Sequence, residues 1–151
     1  MRRPLLLALA LLGAACGPRG AALPAPLDTA NETCGWCRMA VSDPRFAAQL
    51  AAPGEEARFF DDVGCLRDFL HDSGDLAPNT IAYVADHRTR VWVPAAGAAY
   101  TRVPSLQTPM GSHLVAHADA ASRDADPAAA KGTPLAVSDV FGPVAPPGDR
   151  P

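Results

Sequence analysis

The chain has 151 residues, with 13 Lys and Arg against 16 Asp and Glu and a formal charge of −3. A mildly acidic chain lacks the basic surface that holds phosphate backbones, so nucleic acid is excluded as an expected partner. The length suits one compact domain or two very small modules, and no nucleotide-cofactor motif interrupts it.

Arg2 and Arg3 open the chain, Leu5 to Leu12 form an apolar run, and Gly13-Ala14-Ala15 place small residues directly before Cys16. This is the layout of a lipoprotein export signal: residues 1–15 are expected to be removed and Cys16 to carry the lipid. The apolar run is far shorter than the ~20 residues of a spanning helix. A lipobox usually has Leu three places before the cysteine, where this chain has Gly13, and an ordinary signal cut near Ala15 is the alternative. Loss of residues 1–15 removes two of the 13 basic residues, leaving 11 against 16 acidic ones and a charge of −5. Residues 16–31, rich in Gly, Pro and Ala, read as a flexible tether, and residues 142–151 as a disordered tail. Gly17 after the cysteine, with no Asp, points to the outer membrane where the host has two.

Cys34-Gly35-Trp36-Cys37-Arg38-Met39 then gathers two thiols and a thioether into six residues. Thiolate and thioether sulfur together prefer Cu(I), whereas Zn(II) takes Cys, His and carboxylate. In an extended chain residues i and i+2 share a face, so Cys37 and Met39 are expected to converge on one ion, with Cys34 on the turn before them. An exported C-x-x-C pair also reads as a disulfide or a redox dithiol. A thioredoxin-like pair, however, opens a long helix inside βαβ units, and this one leads into the polar turn Ser42-Asp43-Pro44. A c-type haem needs His after Cys37, where Arg38 stands. A structural zinc site lacks a second ligand pair.

Phe46–Leu50 and Ala57–Phe60 read as a hairpin around Pro53-Gly54-Glu55-Glu56. Asp61 or Asp62 caps a helix running to about Asp72, whose stripe Val63, Leu66, Phe69 and Leu70 is apolar at helical spacing. Cys65 lies at the edge of that stripe and is expected to be a small buried hydrophobe. Ser73-Gly74 ends the helix. Ile81–Ala85 and Arg90–Val93 form a second hairpin around His87 to Thr89. A loop rich in Pro and Ser ends in Thr108-Pro109-Met110-Gly111-Ser112, and His113–His117 is a strand. Four strand residues span roughly 13 Å, too far for His113 and His117 to bind one ion directly; one of them as a ligand or a group behind a ligand is the alternative, and a surface position is the expectation for both. Asp126, Pro127 and Gly132 bound a short helix over Ala128–Lys131, and Leu135–Val137 closes the sheet. The fold class is α+β, with short strands and two small helices.

These residues resemble the NosL family, lipoprotein copper chaperones that assist nitrous oxide reductase assembly. The likeness rests on C-x-x-C-x-M followed by Val41 to Gln49, then Phe60-Asp61-Asp62-Val63-Gly64-Cys65, then Thr108 to Ser112. It implies two small ββαβ-like modules of short antiparallel strands, residues 32–78 with the sulfur motif and residues 79–141 with the P-M-G-S loop. It implies Cu(I) as the ligand, held by Cys37, Met39 and Met110, with Cys34 as a further thiolate or as a disulfide partner of Cys37. It implies a monomeric carrier, not an enzyme, tethered to the membrane and handing copper to a metalloenzyme or its assembly machinery. His113 and His117 depart from the family's usual pattern. A thiol:disulfide oxidoreductase using Cys34 and Cys37, or a zinc-stabilised binding module, are the alternatives, and neither has a use for Met39 and Met110.

Overall fold

Short apolar runs broken by Pro, Gly and Asp give strands of three to five residues. A computed structural model describes residues 21–73, 75–143 and 145–148; the expected signal peptide, Cys16 and the start of the tether lie outside the described residues, as does the end of the tail. Strand β1 (Ala48–Ala51) is buried along its whole length and pairs antiparallel with β2 (Arg58–Phe60), Ala48 opposite Phe60. Helix α1 (Val63–Asp72) starts where the Asp62 carboxylate accepts the Gly64 N–H, and it buries Val63, Cys65, Leu66 and Leu70. Phe69, on the same stripe, stays partly exposed.

The chain returns as β3 (Ile81–Ala85) on the other side of β1, and β4 (Trp92–Pro94) extends the sheet, giving the order β2-β1-β3-β4. A 3₁₀ turn, Ala95–Gly97, leads to β5 (Ala99–Arg102), then β6 (Leu114–His117), helix α2 (Ala120–Asp124) and β7 (Thr133–Leu135). The second sheet has the order β6-β5-β7, and helix α3 (Val137–Phe141) is the last helix or strand among the described residues, beyond which Pro147 O accepts the Ala82 N–H. Among the described residues, two small antiparallel sheets with three short helices make this the α+β fold expected.

The units β1-β2-α1-β3 and β5-β6-α2-β7 repeat one plan. Each has its first strand in the middle, flanked by two antiparallel neighbours. Ala48 faces Phe60 in one unit as Ala99 faces His117 in the other, and Asp62 and Asp119 cap the two helices. Gly35 donates its N–H to Phe59 O as His87 does to Ala116 O. Ile81–Ala85, assigned by sequence to the second module, therefore completes the first unit. One apolar core joins both: Phe60, Leu66 and Val84 share it with Tyr100, Leu114 and Phe141.

Three elements differ from the sequence reading. Ala99–Arg102 is a strand where a loop was expected, because it pairs with β6 and β7 on both edges. Ala128–Lys131 is a run of turns with three-residue spacing, Ala129 N to Asp126 O and Gly132 N to Ala129 O, and not a helix. Gly132 lies so close to Thr101 and Arg102 O of β5 that a Cβ has no room, which turns the chain into β7 before a helix can extend. Val137, expected to end a strand, instead opens α3, with Asp139 accepting the Ala136 N–H.

Asp86, fully buried after β3, ties the two units together. Its carboxylate accepts N–H groups of Arg88, Thr89 and Ala118 and the Ser122 hydroxyl. Burial alone would raise its pKa, but the Ser122 hydroxyl and the backbone donors outweigh it and hold the carboxyl well below the ordinary range. A carboxyl depressed in the folded state contributes stability that is complete above its unfolded pKa and is lost as pH falls below about 4. Asp86→Ala strands several buried donors and is expected to cost about 2–4 kcal/mol in urea unfolding at neutral pH. The gap from wild type should narrow as pH is lowered.

Candidate metal centre

The sulfur segment is a closed loop pinned to the first sheet. Thr33 and Ala40 form an antiparallel bridge, Met39 O accepts the Cys34 N–H, and Cys34 O accepts the Arg38 N–H. Gly35 donates to Phe59 O and lets the loop lie on β2, since a Cβ there would stand 2.7 Å from the Arg58 side chain. Arg38 takes φ 67°, in the left-handed region, so the chain from Cys37 to Met39 is not extended. The alternation expected to put both sulfurs on one face is broken: Cys37 turns inward and Met39 is 58% exposed.

Inward, Cys37 meets a residue from across the fold. Its thiol lies 3.6 and 3.5 Å from the two carboxylate oxygens of Asp61. Cys34, Cys37, Asp61 and Cys65 bring one ligand atom each within 4.8 Å of one another, and this cluster could hold a metal ion. All three cysteines are free thiols, with Cys34 and Cys65 buried. Cys65, expected to be an apolar filler, thus faces the cluster from the first turn of α1. By sequence Asp61 is only a possible cap. Asp62 takes that role, and Asp61 is left to face the thiols. Both residues sit in the Phe60-to-Cys65 motif, which was the signal available for finding them.

The cluster cannot ionise completely. Cys34 is pulled down to about 4, because the Cys65 thiol donates to it and backbone groups of Asp61, Cys37 and Trp36 add to this against the cost of burial. Its charge is then felt by the rest. Cys65 is pushed far up, first by that hydrogen bond to Cys34 and then by burial. Desolvation raises Cys37, and raises Asp61 to about 6 with the Cys34 contact adding to the shift. A buried group of acids that repel each other's charges is relieved by a cation, which takes the place of the shared protons.

The P-M-G-S loop lies against the same helix start. Met110 donates its N–H to Asp62 Oδ2 at 3.2 Å, and Ser112 packs on Gly64, where a Cβ would fall 2.8 Å from the serine's Cβ. Met110 itself is 44% exposed. His113, at φ 58°, is held in this loop by its ring contact to Leu106 O at 2.8 Å. His117 is no surface histidine: it is fully buried and faces Asp126, because its side of β6 turns into the molecule. The chain matches no family model, no curated protein and no solved structure.

If Cys65 is a ligand and not a filler, Cys65→Ala should weaken binding of a thiophilic ion by at least about tenfold, equivalent to ~1.4 kcal/mol. Chelator competition on the reduced protein measures it. Unchanged affinity would return Cys65 to the core.

Proposed function

We propose that this chain is an exported, lipid-anchored Cu(I) chaperone that captures copper at the membrane surface and delivers it to a metalloenzyme assembly. Maturation of nitrous oxide reductase is the destination that the NosL resemblance implies. The observation behind this reading is the cluster of three thiols beside the start of α1, with the backbones of two exposed methionines bonded to its surroundings. Of the three free thiols two are buried and Cys37 is partly exposed, and two exposed thioethers, Met39 and Met110, are fixed through their backbones to Cys34 and Asp62. A site for a permanently held ion has little use for exposed thioethers. A carrier does: thiolates give affinity for a soft ion, and a loop-borne thioether can leave first. A ligand of the acceptor then enters before the thiolates release, so copper passes by exchange and is never free.

Asp61 favours one second reading, because three thiols and a carboxylate also make a tetrahedral Zn(II) site. The dithiol oxidoreductase has less behind it, since Cys34 is fully buried and its partner Cys37 is only partly exposed. Metal competition separates the first two. The reduced protein is expected to hold about one Cu(I) against a chromophoric chelator and to prefer it strongly over Zn(II). Zinc affinity equal to or above that for copper would replace the chaperone with a zinc-stabilised module.

Met110→Leu keeps size and apolarity while removing the thioether, so folding should survive and Cu(I) affinity should fall by about tenfold. Copper X-ray absorption should lose one sulfur scatterer. An unchanged shell and unchanged affinity would confine the ion to the cysteines. Separately, full-length protein should sediment with membranes and Cys16→Ser should release it; equal partition of the two forms after export would remove the lipid anchor from the proposal.

A further inference from the structure

The second unit carries ligating side chains of its own. His87 follows β3, His117 ends β6, and Asp126 follows α2; one ligand atom from each lies within 4.8 Å of the others. Asp126 Oδ2 is 2.6 Å from His87 Nδ1 and 3.0 Å from His117 Nε2. Asp126 Oδ1 accepts the Ala128 N–H, which fixes the carboxylate's orientation. His117 is fully buried, and His87 and Asp126 are each 6% exposed. The Phe46 ring closes over His87 at 5.1 Å.

The internal repeat shows what occupies this place when packing is the only need. His87 corresponds to Gly35, since each donates its N–H to the residue before the last of the outer strand. His117 corresponds to Phe60, each opposite the first residue of the central strand. In the first unit the place is apolar: the Phe60 ring lies 5.2 Å from that of Phe69, and Gly35 leaves it room. The second unit puts two imidazoles and a carboxylate there. Buried polar groups are costly unless paired, and two imidazoles meet here on one carboxylate oxygen, Asp126 Oδ2; the far ring nitrogens, His87 Nε2 and His117 Nδ1, have no hydrogen-bond partner and face away from it.

Two imidazole nitrogens and a carboxylate oxygen are the donor set of a borderline divalent ion and contain no soft atom. Bonds of about 2.0–2.2 Å place neighbouring donors at such an ion roughly 3–3.5 Å apart. The observed 3.0 Å needs to open by up to about 0.5 Å and the observed 2.6 Å by about 0.4–0.9 Å to admit it, with the two imidazole nitrogens already within 4.8 Å of each other. We propose that His87, His117 and Asp126 form a second metal site, which takes a divalent ion of Zn(II) character and is separate from the sulfur cluster in place and in chemistry. The ion joins the end of β3 in the first sheet to β6 and the turn after α2. It fastens the two units together while the thiols remain available for a soft ion.

The test uses the full chain and Zn(II) itself. The triple variant Cys34→Ser, Cys37→Ser, Cys65→Ser should retain about one Zn(II), with only nitrogen and oxygen scatterers in zinc X-ray absorption and a raised thermal midpoint. Asp126→Asn, and His117→Phe, which installs the residue the first unit uses there, should each lower zinc affinity by at least about tenfold. Where the triple variant does not fold, the same two substitutions in the wild-type background should each reduce bound zinc by about one equivalent and remove nitrogen scatterers. No zinc in the folded triple variant, sulfur in its shell, or wild-type retention by both Asp126→Asn and His117→Phe overturns the site. None of these outcomes depends on whether the thiols bind copper.

Discussion

The buried carboxylate of Asp62 is the constraint on which the sulfur site depends. One oxygen caps α1 through the Gly64 N–H at 2.6 Å and the other accepts the Met110 N–H at 3.2 Å. A single side chain thus sets where the helix begins and where the P-M-G-S loop lies. Because the cap is Asp62 and not Asp61, α1 starts in the phase that turns Cys65 toward Cys34, and Asp61 is free to face Cys37. The missing Cβ at Gly64 lets Ser112 approach. Three segments, residues 34–39, 61–65 and 108–112, are thereby held at one helix turn, two by side-chain sulfur and the third by a backbone bond.

That arrangement gives the cluster its electrostatic character. Three thiols and a carboxylate share a largely buried space, and the ionised Cys34 is stabilised at the expense of its neighbours. Folding alone leaves protons on groups that would serve better as ligands. The cluster is stable without an ion because hydrogen bonds between its members hold those protons. A cation that binds its ligand atoms, which already lie within 4.8 Å of one another, does so by displacing those protons.

The sequence disclosed local structure and missed what pairing at a distance creates. The α1 stripe, its aspartate start and the first hairpin were legible, since each is set by residues within a few positions. Two of the cluster's four members, Cys34 and Cys37, were legible in the C-x-x-C-x-M motif. Its geometry was not, because nothing in the residues announces that Arg38 takes a left-handed conformation. Cys65 looked like core because it does lie beside the core stripe, and its sulfur faces the cluster only once Gly35 is bonded to β2. Ala99–Arg102 has too little apolar alternation to read as a strand and becomes one through two partners. His117 was read as surface because strand alternation alone does not say which face the other unit covers.

The repeat shows how one backbone plan can carry two kinds of chemistry. Aligned by their helix caps and strand ends, Cys34 corresponds to Asp86 and Cys65 to Ser122. The thiol contact between Cys34 and Cys65 in one unit is a hydrogen bond between Asp86 and Ser122 at 2.6 Å in the other. In both, a residue just before the incoming loop bonds a residue in the first turn of a helix, because that is where the outer strand's end, the helix start and the loop must meet. The position calls for a polar pair whatever its identity, since backbone donors at a helix start need partners. Sulfur there leaves weakly satisfied, polarisable atoms open to an ion, whereas carboxylate and hydroxyl satisfy the same place with strong hydrogen bonds and close it. The first unit has kept its strand-to-helix corner reactive, and the second has used the equivalent corner to hold the two sheets together.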